Sequence, residues 1–96
     1  MRLIVRAQIP TEAGNKMVKD PNFLQEIEKY IANTKAEGTY FFEAGGDRVA
    51  VFVIDVSSAD MIPAIAEPLF QKYSAKVEFH PVMVLADLKK AIGKLG

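Results

Sequence analysis

The short segment Gly45-Gly46-Asp47 separates two runs of strand-forming residues near the middle of the chain. The first run, residues 39–44, is rich in aromatic side chains, and the second, residues 48–56, is apolar on both faces. Two such runs joined by a pair of glycines are typical of a β-hairpin, because glycine adopts the positive φ angles that the tightest turns need. A strand that is apolar on both faces is expected at the centre of a sheet. The middle of the chain is therefore predicted to form two antiparallel strands.

One strand and one long helix are predicted before the hairpin. Residues 2–9 alternate like a strand with one apolar side, and the strand ends at Pro10 because proline cannot donate to a β-ladder. Residues 11–19 are predicted to form a turn or a short helix. The long helix is expected over residues 21–36, since Asp20-Pro21 supplies a capping residue followed by a proline suited to the first helical position.

A helix, a strand and a final helix are predicted after the hairpin. The segment Ser57-Ser58-Ala59-Asp60 matches the Ser-x-x-acid pattern that begins helices, and Glu67-Pro68 is expected to end or kink this helix. Residues 76–84 are predicted to be the fourth strand, and Pro81 places it at an edge or a bulge. Residues 87–95 are predicted to form a short amphipathic helix.

The order of these elements predicts the fold class. Strand, helix, two strands in a hairpin, helix and strand make the split βαβ pattern of a ferredoxin-like fold. We therefore expect one α+β domain over residues 1–96, with an antiparallel sheet, two helices on one face and a short C-terminal helix. In that fold the first and fourth strands are antiparallel neighbours.

The alternation of side chains predicts what each face of the sheet carries. Val49, Val51 and Val53 are expected beneath the helices with the odd-numbered residues of the first strand. The open face is expected to carry one aromatic set from the second strand and the residues Ile4, Ala50, Phe52, Ile54, Val82 and Val84. So large an apolar surface is unusual on a monomer, so we expect a homodimer that packs through the open sheet face. The alternative is that the C-terminal helix folds over the open face of its own chain.

Composition excludes several classes of function. The 12 basic and 12 acidic residues cancel, and no basic run suggests binding to nucleic acid or to an anionic membrane. The chain has no cysteine and one histidine, which excludes disulfides, thiolate metal sites and multi-histidine metal sites within one subunit. We expect no metal and no cofactor. The longest apolar run, residues 49–54, is too short to span a bilayer, and no targeting segment is visible, so we expect a cytoplasmic protein.

Short local patterns resemble the dimeric α+β barrel superfamily. The helix that ends in Glu37-Gly38-Thr39 before an aromatic strand, and the strand at residues 52–57 that ends before a helix, are similar to muconolactone isomerase. The segments 9–15 (IPTEAGN), 67–70 (EPLF) and 81–83 (PVM) look like a group of small uncharacterised members of the superfamily. The resemblance implies a dimeric barrel. Because the superfamily includes small monooxygenases, it also implies monooxygenase activity as an alternative to isomerase activity. Superfamily pockets often open between the sheet and the first helix, which implies a ligand-binding role for Asn15.

One constellation of polar residues could carry chemistry on the open face. Alternation places Arg6 and Gln8 beside Glu78 and His80. His80, with Glu78, is the candidate acid or base because imidazole titrates near neutral pH, and Arg6 could hold a carboxylate by a two-pronged pair. Apolar walls are expected from Phe52 and from Tyr40 or Phe42. In the alternative interpretation Arg6 and Glu78 form only a cross-strand salt bridge, and His80 is a hydrogen-bonded interface residue.

These observations predict a homodimer that binds a small molecule, such as a small organic acid, without established catalysis. The first alternative is a cofactor-independent isomerase or monooxygenase that acts on a small aromatic or lactone-like acid. The second is a purely structural interaction module, which a flat and fully packed open face would indicate.

Overall fold

A four-stranded antiparallel sheet organises the chain in the computed structural model, which describes all residues from Met1 to Gly96. The strands are β1 (Arg2–Ile9), β2 (Gly38–Ala44), β3 (Asp47–Asp55) and β4 (Lys76–Pro81). The helices are α1 (Thr11–Lys19), α2 (Phe23–Thr34), α3 (Ile62–Tyr73) and α4 (Leu85–Leu95), and a turn of 3₁₀-helix (Ala59–Met61) precedes α3. The strand order is β2-β3-β1-β4. The α+β class is confirmed, and the arrangement is consistent with a ferredoxin-like fold.

The predicted hairpin is present and joins β2 to β3. Gly45 and Gly46 have φ angles of +60° and +85°, the left-handed values that a two-residue turn between antiparallel strands requires. β3 lies inside the sheet, between β2 and β1, and β4 lies at the edge where Pro81 predicted it. The pattern of glycines and proline therefore located the turn and the edge correctly.

The predicted face of β3 is wrong. Val5 of β1 pairs with Phe52 of β3, and side chains of directly opposed residues point to the same side of a sheet. Phe52 and Val5 are both 0% exposed and lie in the core beneath the helices. Ala50 and Ile54 share that side, so Val51 lies on the open face with the even-numbered residues of β1. The sequence could not distinguish the two sides because both are apolar.

The core lies between the sheet and helices α2 and α3. Tyr30 of α2 packs its ring edge-on against Phe52, with ring centroids 4.9 Å apart. The Tyr30 hydroxyl donates a hydrogen bond of 2.8 Å to the backbone oxygen of Ile65 in α3. Burial raises the pKa of Tyr30 well above its ordinary value of 10.0, so the hydroxyl stays protonated and keeps donating.

Two helices differ in extent from the sequence prediction, since α3 does not end at Pro68 and α4 begins earlier than expected. α3 continues through Pro68 to Tyr73, because burial of Leu69 and Tyr73 against the sheet outweighs the cost of about 3 kcal/mol for an interior proline. α4 begins at Leu85 rather than at residue 87, and β4 ends at Pro81, so Val84 precedes a helix and is not part of a strand.

α4 extends away from the rest of the molecule. It contains no buried residue, and the longest dimension of the chain is 53 Å. The radius of gyration is 15.3 Å, whereas a compact domain of this length has a value of about 12.5 Å. α4 therefore does not cover the open sheet face of its own chain. No helix in the structure has both the length and the apolar character needed to cross a membrane.

Candidate functional site

Four of the predicted site residues form a polar row on the open face of β1 and β4. Arg6 lies directly opposite Glu78, and its Nη1 donates to Glu78 Oε2 at 3.0 Å and to Gln8 Oε1 at 3.0 Å. The His80 Nε2 atom is 3.2 Å from the other Glu78 carboxylate oxygen. Glu78 therefore joins a guanidinium to an imidazole, the contact pattern that could orient a histidine for proton transfer.

The polar row faces solvent in a single chain. The side chains of Glu78 and His80 are 51% and 55% exposed, and that of Arg6 is 26% exposed. The Arg6–Glu78 contact has the geometry of the cross-strand salt bridge that the alternative interpretation expected. An exposed pair of this kind contributes only about 0–1 kcal/mol to folding, so stability alone gives little reason for its presence.

The predicted aromatic walls do not all lie beside this row. Tyr40 and Phe42 pair with Val51 and Val49, so both are on the open face, where they are 62% and 47% exposed. They belong to β2, at the opposite edge of the sheet from the polar row. Phe52 lies on the other side of the sheet beneath α2, and its predicted place in a wall on the open face is wrong because the faces of β3 are reversed.

A second location brings other predicted residues together. An apolar cavity of about 130 Å³ lies between the sheet and helices α1, α2 and α3. Of the 13 residues that line it, 12 are hydrophobic. They include Phe52, whose ring lies on this side of the sheet, and Phe42, whose pairing with Val49 directs its side chain to the open face. The single charged lining residue is Arg48, at the start of β3. The cavity is thus an apolar space with one cation beside it.

Arg48 is held in place by α1. Its Nη1 donates to the side-chain oxygen of Asn15 at 3.2 Å, and the same atom, with Cδ and Cζ, lies over Gly14. The adjacent carboxylate of Asp47 is directed elsewhere, since it accepts hydrogen bonds from Gln8 at 2.9 Å and Thr11 at 3.4 Å.

No carboxylate lies within 4.0 Å of the Arg48 guanidinium, whereas Arg2 and Arg6 each have an acidic partner. Arg48 therefore retains donors for an anion. Asn15, which the superfamily resemblance implied, reaches the cavity only through Arg48.

Sequence reasoning missed Arg48 for a local reason. It follows the hairpin turn directly, where a charged residue is unremarkable, and the cavity beside it exists only after helices from distant parts of the chain pack on the sheet. The pairing of Asn15 with a basic residue was also invisible, because 33 positions separate the two residues along the chain.

Tyr73 is the other polar group at the cavity. Burial, together with the Glu26 carboxylate 3.4 Å from the hydroxyl, raises the pKa of Tyr73 to about 12. The phenol is therefore neutral at physiological pH and can serve as a hydrogen-bond donor rather than as a base. Charge recognition at this cavity depends on Arg48.

The chain was compared with known proteins. No model of a known protein family matches it, and no curated protein matches the sequence. The structure shows a small α+β protein with a four-stranded antiparallel sheet, which is consistent with a ferredoxin-like fold.

Proposed function

We propose that this protein is a homodimeric member of the dimeric α+β barrel superfamily that binds a small organic acid. The observation that carries the proposal is the Arg48 guanidinium, which has no acidic partner and lies beside an apolar cavity. The cavity would take the apolar part of the ligand, and Arg48 would take its carboxylate.

The size of the cavity supports a small ligand. Its volume is about 130 Å³, and an apolar protein cavity of about 150 Å³ is known to hold benzene. A single ring or a short branched chain therefore fits, whereas a nucleotide or a sugar chain does not. The planar guanidinium fork can bind a carboxylate through two parallel hydrogen bonds.

The open sheet face supports the homodimer. Tyr40 and Phe42 are exposed there beside the valines of β3, and a two-fold partner would remove this apolar surface from water.

The two candidate ligand sites differ in whether their arginine already has an acidic partner. Arg48 beside the apolar cavity has none, while Arg6 in the polar row is already paired with Glu78.

The acid-binding proposal is tested with benzoate as the probe. We expect benzoate to shift the NMR resonances of Phe52 and Asn15 in the wild-type protein, and Arg48→Met to weaken its affinity about tenfold or more, since a charge-assisted hydrogen bond contributes about 1.5–3 kcal/mol. Arg6→Met is the matched control, because it removes the same charge from the open face. Benzyl alcohol, which lacks the carboxylate, should bind both variants equally weakly.

Two results would contradict the proposal. One is benzoate binding that is equally strong in the wild-type protein and Arg48→Met. The other is the absence of any benzoate-dependent shift at Phe52 and Asn15 when other resonances respond.

A second candidate function is cofactor-independent isomerase or monooxygenase chemistry. The contact between Glu78 and His80 favours it, because a carboxylate beside an imidazole is an arrangement used for proton transfer. If it is correct, His80→Ala abolishes turnover of a small aromatic or lactone-like acid and leaves the dimer intact. Loss of the dimer in His80→Ala would show that His80 has only a structural role.

A further inference from the structure

Arg48 has an acidic residue directly opposite it in the hairpin. Glu43 of β2 pairs with Arg48 of β3 in the antiparallel register, so both side chains lie on the helix side of the sheet. The Cβ atoms of directly opposed residues are about 4.5–5.5 Å apart, and opposite charges at such positions attract each other. A salt bridge between Glu43 and Arg48 would therefore be the ordinary arrangement.

That salt bridge is absent from the structure. No carboxylate oxygen lies within 4.0 Å of an Arg48 side-chain nitrogen. Glu43 Oε2 instead accepts a hydrogen bond of 2.8 Å from the backbone N–H of Gly46 in the turn. Arg48 Nη1 donates to the side-chain oxygen of Asn15 in α1. Each charged group is thus held by a neighbour of its own, and each retains hydrogen-bonding capacity for a group of opposite charge.

The cavity that Arg48 lines reaches the surface near Glu43. Phe41 lines the cavity and is 60% exposed, so the cavity opens along β2. Phe41 and Glu43 are two positions apart on one strand and therefore lie on the same side of the sheet. Glu43 is exposed as well, so the helices leave this end of β2 uncovered. The opening of the cavity thus has Arg48 on one strand and Glu43 on the next.

We infer that the acid bound at this cavity is an α-amino acid with an apolar side chain, and that Glu43 is the residue that binds its ammonium group. This inference rests on the proposed acid-binding function and names the class of acid. Arg48 takes the carboxylate, Glu43 takes the ammonium, and the side chain of the ligand enters the cavity. An α-amino acid carries its two opposite charges on one carbon, which matches opposite charges on two directly opposed residues.

The cavity limits the side chain of the amino acid. Its volume of about 130 Å³ holds an isobutyl group or a single ring. All of its lining residues except Arg48 are hydrophobic, so a second charged group inside it would lose its hydration without a partner. Amino acids with acidic or basic side chains are therefore excluded, and leucine is a suitable probe.

The two charges distinguish an amino acid from a simple acid. A monocarboxylate bound to Arg48 brings a negative charge towards Glu43, and the two carboxylates repel each other. The ammonium group of an amino acid replaces this repulsion with an attraction. A dicarboxylate brings a second negative charge to the same opening and should bind worst.

The first test uses the wild-type protein and three ligands with one carbon skeleton. The ligands are leucine, isocaproate, which is leucine without the amine, and isoamylamine, which is leucine without the carboxylate. We expect leucine to bind about tenfold more tightly than isocaproate, because it adds a charge-assisted hydrogen bond to Glu43. Isoamylamine should bind most weakly, since it leaves Arg48 without an anion. Calorimetric titration measures the three affinities.

The second test removes the charge of Glu43. Glu43→Gln keeps a side-chain oxygen for the N–H of Gly46, so the turn retains its hydrogen bond. We expect this variant to bind leucine about tenfold more weakly than the wild type and to bind isocaproate at least as tightly. Glu28→Gln is the matched control, because it removes the same charge from an exposed position on α2. It should leave both affinities unchanged.

The outcomes separate this inference from the acid-binding function. Equal affinities for leucine and isocaproate in the wild type overturn the inference, and acid binding stands if Arg48→Met still weakens isocaproate. Stronger binding of both ligands by Glu43→Gln also overturns the inference, because Glu43 would then compete with the ligand for Arg48. If Arg48→Met leaves isocaproate binding unchanged, or if neither ligand binds, both the acid-binding function and the inference are wrong.

Discussion

The guanidinium of Arg48 lies directly over Gly14: a Cβ built on that glycine would be 2.6 Å from Arg48 Nη1. Gly14 is buried within α1, where glycine costs about 1 kcal/mol relative to alanine. The space that this glycine leaves is occupied by Arg48, which also accounts for the contact between Arg48 and Asn15. The relationship links a helix in the N-terminal part of the chain to the only charged group beside the cavity.

Gly14→Ala should therefore weaken benzoate binding while it leaves the free energy of unfolding nearly unchanged. The added methyl group displaces the flexible end of Arg48, while the gain in helix propensity offsets the lost contact, so the free energy of unfolding should change by less than about 1 kcal/mol. Benzoate affinity should fall about tenfold, because the guanidinium no longer lies beside the cavity. Urea denaturation and calorimetric titration measure the two effects.

Gly93→Ala is the matched control for this prediction. Gly93 lies in α4 with open space around it, so alanine should stabilise the helix without changing benzoate affinity. Equal affinities for Gly14→Ala and Gly93→Ala would mean that Arg48 does not position the acid.

The hydroxyl of Tyr30 should make a measurable contribution to stability. Tyr30→Phe removes the 2.8 Å hydrogen bond to Ile65 and leaves a backbone oxygen without that donor, which should cost about 1–2 kcal/mol. Tyr73→Phe removes a longer contact, 3.4 Å to Glu26, and should cost less. A larger loss in Tyr73→Phe than in Tyr30→Phe would contradict this ranking. Urea denaturation at neutral pH gives both values.

The same two tyrosines should make the protein sensitive to alkali. Their pKa values are raised in the folded state above the ordinary value of 10.0, so the folded protein holds protons that the unfolded chain releases. The contribution of the two tyrosines to the free energy of unfolding is then fully present below pH 10, and it falls as the pH rises above that value. Unfolding free energies measured from about pH 8 to pH 11.5 should show this decline, and the decline should be shallower in Tyr30→Phe. An unchanged slope would mean that Tyr30 does not cause it.

The sequence was informative where a single residue type determines the backbone. Gly45 and Gly46 predicted the hairpin, and Pro81 predicted an edge or a bulge, because φ angles and missing N–H groups are local properties. β4 lies at the edge. Pro68 shows the limit of such rules, since packing of neighbouring residues such as Leu69 on the sheet carried the helix through it. The sequence also predicted that α4 is amphipathic, but it did not predict that the helix extends away from the sheet.

The candidate sites show a second limit. The polar row was predictable because alternation and strand order bring Arg6 and Glu78 together. The buried face of β3 could not be predicted, since Val51 and Phe52 are both apolar. Only the register against β1 decides which of the two is buried. The cavity beside Arg48 depends on packing between distant segments, which no local pattern reports.

The Arg6–Glu78 pair should contribute little to folding. A double-mutant cycle with Arg6→Met and Glu78→Gln should give a coupling energy below about 1 kcal/mol that decreases with added salt, because Glu78 is 51% exposed. A coupling well above that value, insensitive to salt, would favour a structural role for the polar row. Unfolding free energies of the wild type, both single variants and the double variant complete the measurement.

The reversed face of β3 gives the most direct test of the fold. Phe52→Ala should lower the free energy of unfolding by about 3–5 kcal/mol, because its ring is 0% exposed and packs against Tyr30 at 4.9 Å. Phe70→Ala is the control: it removes the same group from a side chain that is 44% exposed on α3, and it should cost about 1 kcal/mol. If Phe52→Ala does not fold, Phe52→Leu with urea denaturation gives the same comparison at smaller amplitude. Equal costs at the two phenylalanines would place Phe52 on the open face and would remove it from the cavity beside Arg48.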